Sequence, residues 1–188
     1  MAKVTYSMGV SLDGYIKDAD GNFDWTAPDE ELHRYYNEQT RELQGFLFGR
    51  RVYEVMEPYW PEAAKDETLG EVEAEFARIY VGIPRFVFSD TLQEVPDGVK
   101  LVRRAEAVAE VTRLKEADGR PLGIAGAGLA ASLFDLIDEF ELRVHPVLVG
   151  GGTPYFPALR DQADLRLVGS RTLSGLVLLR YERAEVGS

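Results

Sequence analysis

One stretch, GIAGAGLAASLFDLIDEFELRVHPVLVGGGTPYF at residues 123–156, constrains the fold of this chain more than any other segment. A short apolar run at residues 122–125 meets the small residues 126–128, and a short helical pattern follows. Beyond Asp138, apolar and charged residues alternate with the period of a β-strand, which predicts that one strand face contacts water. A second apolar run ends at the three glycines 150–152. The stretch predicts strand, turn, helix and strand, and its two glycine turns indicate a nucleotide ligand.

The rest of the chain alternates short apolar runs with helical patterns. After a polar loop at residues 17–25, a capping hydroxyl, an early proline and acids predict a helix that begins around residues 26–29 and ends at Gly45. At the C-terminus, two strand patterns at residues 165–173 and 176–181 flank Ser174-Gly175, which is typical of a hairpin. The order predicts one α/β domain over residues 1–188. Its sheet is mixed and mostly parallel, with helices on both faces and an antiparallel C-terminal strand pair.

Composition excludes several classes of function. The 188 residues carry a formal net charge of −11, which argues against binding to nucleic acid or to an anionic membrane surface. The chain has no cysteine, so disulfides, thiolate metal sites and cysteine nucleophiles are excluded. It starts directly with a strand-like pattern and has no apolar run of membrane-spanning length. We therefore expect a cytoplasmic protein.

Ligands of α/β sheets collect at the carboxyl ends of the strands, and three such ends carry suitable residues. The first places Arg50 and Arg51 after Gly49; they could hold a phosphate or merely pair with surface acids. The second is residues 89–92, Ser-Asp-Thr-Leu, which is either a ligand site or an ordinary turn. The third is residues 126–128. This last turn does not match the G-x-G-x-x-G fingerprint, so an orthodox dinucleotide-binding fold is disfavoured.

Other side chains admit both a functional and a structural interpretation. Asp29, Glu30 and Glu31 could place a carboxylate beside a heterocycle and assist protonation, or simply stabilise a helix N-terminus. Trp25 could cover a pocket or fill the core. The two histidines are interpreted as structural: His33 falls in an exposed phase of its helix, and His145 lies in a strand pattern. We predict no metal site.

The motifs together resemble the dihydrofolate-reductase-like superfamily. In order they are SMGVSLDGYI, FGRRVYEVM, RFVFSDTL, the long stretch described first, and the closing strand pair. The branch that is most similar contains the reductase domain of the bacterial riboflavin-biosynthesis deaminase–reductase. The resemblance implies a homodimeric reductase that binds NADPH, with NADH as an alternative, and transfers a hydride to a pteridine-, pyrimidine- or related heterocyclic substrate.

The resemblance also implies roles for particular residues. Those that would bind the cofactor are Val10, Gly14 and Ile16 near the nicotinamide, Gly49, Arg50, Arg51 and Val52 at the phosphates, Ser89, Asp90, Thr91 and Leu92 near the adenosine, and Gly126, Ala127, Gly128 and Leu129 at the pyrophosphate. Those that would lie on the substrate side are Asp13, Trp25 and Gly151, with Asp29, Glu30 and Glu31 as the catalytic acids.

Three positions depart from the family pattern. Val52 replaces a frequent threonine, and Ala125 replaces the first of two glycines. Asp90 would repel a 2′-phosphate, whereas Arg50 and Arg51 would attract one.

A second hypothesis is therefore a dimeric protein on the same fold that binds a nucleotide without reducing anything. We expect at least one of the three acids to point into the cleft of a reductase, and all three to face solvent in a binding protein.

Overall fold

The computed structural model describes residues 1–117 and 119–184, so the last residues of the predicted domain and Asp118, near the predicted end of a helix, lie outside the described residues. Ten strands are described: β1 (Val4–Ser11), β2 (Tyr15–Lys17), β3 (Gly45–Gly49), β4 (Arg85–Phe88), β5 (Val99–Val102), β6 (Leu122–Ala125), β7 (Glu139–His145), β8 (Thr153–Pro154), β9 (Leu165–Leu173) and β10 (Leu176–Arg183). The described α-helices are α1 (Glu30–Arg41), α2 (Arg50–Met56), α3 (Trp60–Ala63), α4 (Glu71–Gly82), α5 (Ala107–Ala117) and α6 (Ala127–Ser132).

Eight strands form one sheet in the order β5-β4-β3-β6-β1-β7-β10-β9. Every pair from β5 to β7 is parallel, and β10 is antiparallel to both β7 and β9. Positive φ angles of 49° at Ser174 and 76° at Gly175 form the tight turn between β9 and β10. The predicted mixed sheet with an antiparallel C-terminal pair is confirmed. Strands β2 and β8 form a separate small ladder.

Helices cover both faces of the sheet, as predicted. Helices α5 and α6 pack on one face, where Val111 and Ala130 join the largest core cluster. On the other face, α2 and α4 contribute Tyr53, Phe76 and Tyr80 to a second cluster, and α1 packs on β10 in a third. On the face of α1, α2 and α4, part of β1, β6 and β7 stays uncovered and borders a cleft, among it Ser7, Gly123 and Glu141.

The first helix differs from its prediction at both ends. Asp29 is its N-cap, and the Asp29 carboxylate accepts a hydrogen bond of 2.9 Å from the Leu32 N–H. The Thr26 hydroxyl instead donates to the Phe23 carbonyl in a separate 3₁₀ turn, so the predicted hydroxyl cap was wrong. The helix ends at Arg41, and Gly45 begins β3. A carboxylate and a hydroxyl three residues apart were equally plausible caps, and only the path of the preceding loop selects between them.

The prediction of a water-facing side on β7 was wrong. Glu139 is 8% exposed and Glu141 is 4% exposed, although both occupy the charged phase of the alternation. Strand β7 lies between β1 and β10, and the Tyr35 side chain of α1 covers Glu141. Alternating charge therefore marks a buried polar surface here. Among the described residues, no helix is long and apolar enough to cross a membrane.

Candidate functional site

An open cleft of about 1630 Å³ lies against the sheet. On one side it is lined by the turns that follow β3, β4 and β6, and on the other by residues of α1 and the segment around α3. The predicted cofactor residues that line it are Ile16, Gly49, Arg50, Arg51, Val52, Ser89, Asp90, Thr91, Gly126, Ala127, Gly128 and Leu129. The structure thus brings the three predicted strand ends together around one cavity.

Gly49 and Gly126 pack directly against each other. A Cβ atom on Gly126 would lie 3.3 Å from Val52 Cγ2 and 3.6 Å from the Gly49 nitrogen, and the φ of Gly126 is +108°. A Cβ on Gly49 would lie 3.4 Å from Leu129 Cβ. Gly126 is therefore crowded and has a backbone conformation that favours glycine, whereas a Cβ on Gly49 would be in ordinary van der Waals contact. With no side chain at either position, a ligand can approach the N–H groups at the start of α2 and α6 closely. These turns could hold a phosphate group.

Two exposed guanidinium groups stand at the start of α2. The Arg50 Nε lies 3.8 Å from Glu54 Oε1, and both side chains are more than two-fifths exposed, at 44% and 47%. An exposed pair at this separation is weak and leaves Arg50 available to another anion. Arg51 is also exposed and lines the cleft. Both residues could hold phosphate groups.

The Ser89 side chain stabilises the turn after β4 through hydrogen bonds within the turn. The Ser89 hydroxyl oxygen accepts hydrogen bonds from the N–H groups of Thr91 and Leu92 at 3.2 and 3.1 Å. The Asp90 carboxylate accepts a 2.9 Å bond from the Arg104 N–H and lies 3.7 Å from the Arg104 Nε. This ion pair is exposed and weak, like the pair of Arg50 with Glu54, so Asp90 keeps its negative charge at the edge of the cleft. Leu92 packs into a core cluster and does not line the cavity.

Several other predicted residues shape the surroundings of the cleft without lining it. Val10 is 2% exposed in the core, and Gly14 and Gly151 have positive φ angles of 96° and 158°. The Asp13 carboxylate accepts bonds from the backbone N–H groups at 149 and 150, the second at 2.7 Å. Trp25 packs edge-on to His145 at 5.6 Å. The functional roles of these residues stay predictions.

The three predicted catalytic acids are exposed and do not line the cleft. Asp29 caps α1, Glu30 pairs with Arg34, and Glu31 accepts a 2.9 Å bond from the Ser174 hydroxyl. The expectation that one of them points into the cleft is therefore not met, because each is held at the exposed first turn of the helix. Their catalytic role stays a prediction without support from this geometry.

The charged groups of the cleft come instead from β7. The Glu141 carboxylate accepts a 2.9 Å bond from the Ser7 hydroxyl and a 2.7 Å bond from the Tyr35 hydroxyl. Two residues further on, the Arg143 guanidinium lies over the Tyr36 ring, 4.5 Å from its centroid. Neither residue of this pair was among the predicted site residues. The charges at 139, 141 and 143, placed on one face of a strand adjacent to the central strand, were the available signal.

Aromatic side chains form one wall of the cleft, named here the aromatic wall: Tyr36, His33, Trp60 and Tyr59. Successive ring centroids along it are 6.4, 6.0 and 4.9 Å apart. His33 is only 8% exposed, so the prediction of an exposed phase was wrong. Its imidazole also packs 5.6 Å from the Phe76 ring of α4, which covers this side of α1.

Both histidines should make the stability of the fold depend on pH. Burial lowers the pKa of His33 and of His145 in the folded protein. As the pH falls, each imidazole therefore takes up a proton in the unfolded chain before it does so in the folded protein. The contribution of each histidine to the free energy of unfolding is then fully present above about pH 6.5 and is lost as the pH falls below that value. We expect urea denaturation of a His33→Phe variant to show a smaller loss of stability between about pH 7 and 5 than the wild type shows. An unchanged loss would mean that His33 protonates freely in the folded state.

The fold and the site define a class: an α/β protein with a mostly parallel sheet, whose open cleft borders the packed glycine turns after β3 and β6. Residues 2–179 match the model of the RibD C-terminal domain. The chain belongs to that family.

Relatives support the same placement. The uncharacterized protein YwjB of Bacillus subtilis strain 168 is 30% identical over 189 residues, covering 97% of this chain and 98% of YwjB. A Shewanella sp. PV-4 protein ascribed to riboflavin biosynthesis has a TM-score of 0.71 at 24% identity, over 98% of this chain and 100% of that one.

A further solved structure covers a longer protein. It is the diaminohydroxyphosphoribosylaminopyrimidine deaminase/5-amino-6-(5-phosphoribosylamino)uracil reductase of Thermotoga maritima, with a TM-score of 0.67 at 17% identity. The match covers 97% of this chain and 57% of that one. At these identities the two solved structures establish the fold alone.

Proposed function

We propose that this protein is an NADPH-dependent reductase that transfers a hydride to a small heterocyclic compound of the pyrimidine or pteridine type. The observation that carries the proposal is the contact between the glycine turns at Gly49 and Gly126, in a chain of the RibD C-terminal domain family. Two turns without side chains, next to Arg50 and Arg51, supply the backbone donors and the positive charge that a dinucleotide pyrophosphate requires.

The protein's own groups would bind and orient the reactants. The cofactor supplies the hydride, and the protein supplies position and a site shielded from water. Ile16, 8% exposed at the cavity lining, would cover one side of the nicotinamide, and the aromatic wall would receive a planar substrate. No proton donor is assigned to Asp29, Glu30 or Glu31 here, since they stand outside the cavity.

Charge favours NADPH over NADH. Arg50, Arg51 and Arg104 line the cleft together with Asp90, so cations outnumber the acid around the turns after β3 and β4. A 2′-phosphate near these turns would therefore meet more positive than negative charge.

A nucleotide-binding protein without catalytic activity is the alternative. The exposed positions of Asp29, Glu30 and Glu31 favour it, because no acid from the start of α1 reaches the cavity. The buried carboxylate of Glu141 in the cleft lining favours the reductase, because it offers another acidic group near a bound heterocycle. Oxidation of NADPH in the presence of a heterocyclic substrate separates the two.

We expect an Arg50→Ala variant to bind NADPH at least ten-fold more weakly, since a charge-assisted hydrogen bond to phosphate contributes about 1.5–3 kcal/mol. Titration of NADPH fluorescence measures the affinity directly. Arg78→Ala is the matched control, because Arg78 is exposed on α4 and does not line the cleft. Equal NADPH affinity in the two variants and the wild type would count against the assignment of this turn to the cofactor.

A further inference from the structure

The open end of the aromatic wall offers ring faces to a ligand. Trp60 meets Tyr59 at an interplanar angle of 81°, His33 at 71° and Phe76 at 60°. All four residues line the cleft, and Tyr59 is 49% exposed. Rings that meet at such angles cannot all turn their edges to the same space, so a ligand beside Trp60 meets aromatic faces.

No cation of the described chain covers the rings at this end. The cation–aromatic contacts within residues 1–117 and 119–184 are those of Arg85 with Tyr80, Arg143 with Tyr36, Arg171 with Tyr35, and Arg183 with Phe134 and Phe140. Arg143 also donates a hydrogen bond to the Tyr36 hydroxyl, so that end of the wall already has its cation. Tyr59 and Trp60 have none, although tryptophan is the aromatic side chain that attracts a cation most strongly.

A carboxylate without a partner stands beside these rings. Glu73 of α4 is exposed and lines the cleft. It forms no ion pair and no hydrogen bond with any residue that the structure describes. Its charge acts on the wall, because it raises the pKa of His33 against the larger lowering by burial. The His33 imidazole therefore stays neutral at pH 7 and leaves Glu73 available to a ligand cation.

The two sides of the cleft carry opposite charge. Arg50 and Arg51 stand at the start of α2, whereas Trp60 follows the end of that helix. The segment of residues 61–73 contains one cation, Lys65. Its acidic residues are Glu62, Asp66, Glu67, Glu71 and Glu73. Since the whole chain also has a net charge of −11, the field attracts a cation to the Trp60 end of the wall.

We propose that the Trp60 end of the aromatic wall binds an alkylated ammonium group, and that the substrate of the cleft is a compound that carries one. The group would lie against Trp60 and Tyr59, with Glu73 as its counter-ion. Aromatic faces favour alkylated cations, because such cations hold water weakly and lose little on leaving it. The inference rests on the proposed function for the cleft and adds to it the charge of the substrate and the position of that charge.

The direct test compares two probes of one shape, choline and 3,3-dimethyl-1-butanol, of which only choline is charged. Each is titrated into the wild-type protein without cofactor, and the NMR line width of its methyl signal reports binding. We expect choline to bind at least ten-fold more tightly than the uncharged alcohol. Equal affinity of the two compounds, or no binding of choline, overturns the proposal.

A third probe separates the rings from the carboxylate. Ethanolamine is a cation without methyl groups, and its displacement of choline reports its affinity. We expect it to bind several-fold more weakly than choline, because its ammonium group is strongly hydrated. Ethanolamine that binds as tightly as choline would attribute the attraction to Glu73 alone and overturn the role of Trp60 and Tyr59.

Variants locate the cation. Trp60→Leu should lose at least ten-fold in affinity for choline and little for the uncharged alcohol, and Tyr59→Leu tests the same corner at a more exposed ring. Glu73→Gln should lose about three-fold, the effect of one exposed charge. Glu71→Gln is the matched control, because Glu71 is exposed on the same helix and does not line the cleft. Choline affinity that is unchanged in both ring variants overturns the proposal.

NADPH affinity, measured on the same samples, separates this proposal from the proposed function. We expect it to be unchanged in Glu73→Gln, because the glycine turns and Arg50 are intact. NADPH binding without any preference for choline would refute the cationic substrate and leave the reductase standing. Preference for choline without NADPH binding would refute the reductase and leave the cation site standing.

Discussion

Gly152→Ala is expected to destabilise the protein by about 4 kcal/mol, a large part of the stability of a typical domain. A Cβ atom on Gly152 would lie 2.0 Å from the Lys17 carbonyl oxygen and 2.6 Å from the Asp18 carbonyl carbon. Both contacts are with backbone, so no side chain can rotate away. The φ of +134° at Gly152 adds strain for any residue with a side chain. Urea denaturation followed by circular dichroism measures the loss.

Gly150→Ala is the matched control from the same run of glycines. Gly150 also has a positive φ, +75°, but a Cβ there would meet nothing within 4 Å. Its replacement should cost only the conformational penalty of about 1 kcal/mol. Similar losses in both variants would show that backbone conformation alone, and not contact with the segment at Lys17, explains the glycine at 152.

The contact at Gly152 also positions residues near the proposed nicotinamide site. Tyr15 pairs with Pro154 between β2 and β8, and the Tyr155 N–H donates a 2.9 Å bond to the Gly14 carbonyl. The glycine run and the β2 strand therefore hold each other in place. A change at Gly152 should disturb the position of Ile16 as well as the stability.

Gly126→Ala is expected to weaken NADPH binding by at least ten-fold, or about 1.4 kcal/mol. The added Cβ would lie 3.3 Å from Val52 Cγ2 and 3.6 Å from the Gly49 nitrogen, and an alanine would be strained at a φ of +108°. The two turns would have to separate, and their N–H groups would no longer point at one pyrophosphate. Fluorescence titration with NADPH provides the affinity.

Two further variants show whether a loss of NADPH affinity in Gly126→Ala comes from the contact at Gly126. Gly169→Ala on β9 is the control, because a Cβ there would meet nothing within 4 Å and β9 is the last strand at the far edge of the sheet. Gly126→Ala combined with Val52→Ala removes the closest contact but keeps the backbone strain. Partial recovery of NADPH affinity in the double variant would identify the Val52 contact as one cause. Normal affinity in the single Gly126→Ala variant would contradict a pyrophosphate site at this turn.

Local patterns were sufficient to predict most of the fold. The hairpin at Ser174-Gly175 and the parallel units around β3, β4 and β6 follow from apolar runs of strand length between glycine and proline breaks. The start of α1 could not be fixed, because Thr26 and Asp29 are both good caps and the structure uses Asp29. The buried charges of β7 were missed because an alternating pattern does not reveal what covers the charged face.

The candidate site was predicted only in part, because some of its residues are placed by sheet topology and others by long-range packing. Turns after parallel strands meet at one edge by topology, so Gly49, Ser89 and Gly126 could be grouped from sequence. The position of Glu141 and Arg143 in the cleft depends on the packing of α1 across β7, which is a long-range contact. The exposed acids at the start of α1 were favoured by the resemblance, but their capping contacts keep them at the surface.

The most direct measurement is a crystal structure of the protein with NADPH bound. The proposed function predicts the pyrophosphate within hydrogen-bond distance of backbone N–H groups in the turns at Gly49 and Gly126. It also predicts the nicotinamide ring against Ile16 and facing the aromatic wall. Crystals soaked in NADPH that show no cofactor in the cleft, or a cofactor whose pyrophosphate avoids both turns, would contradict it.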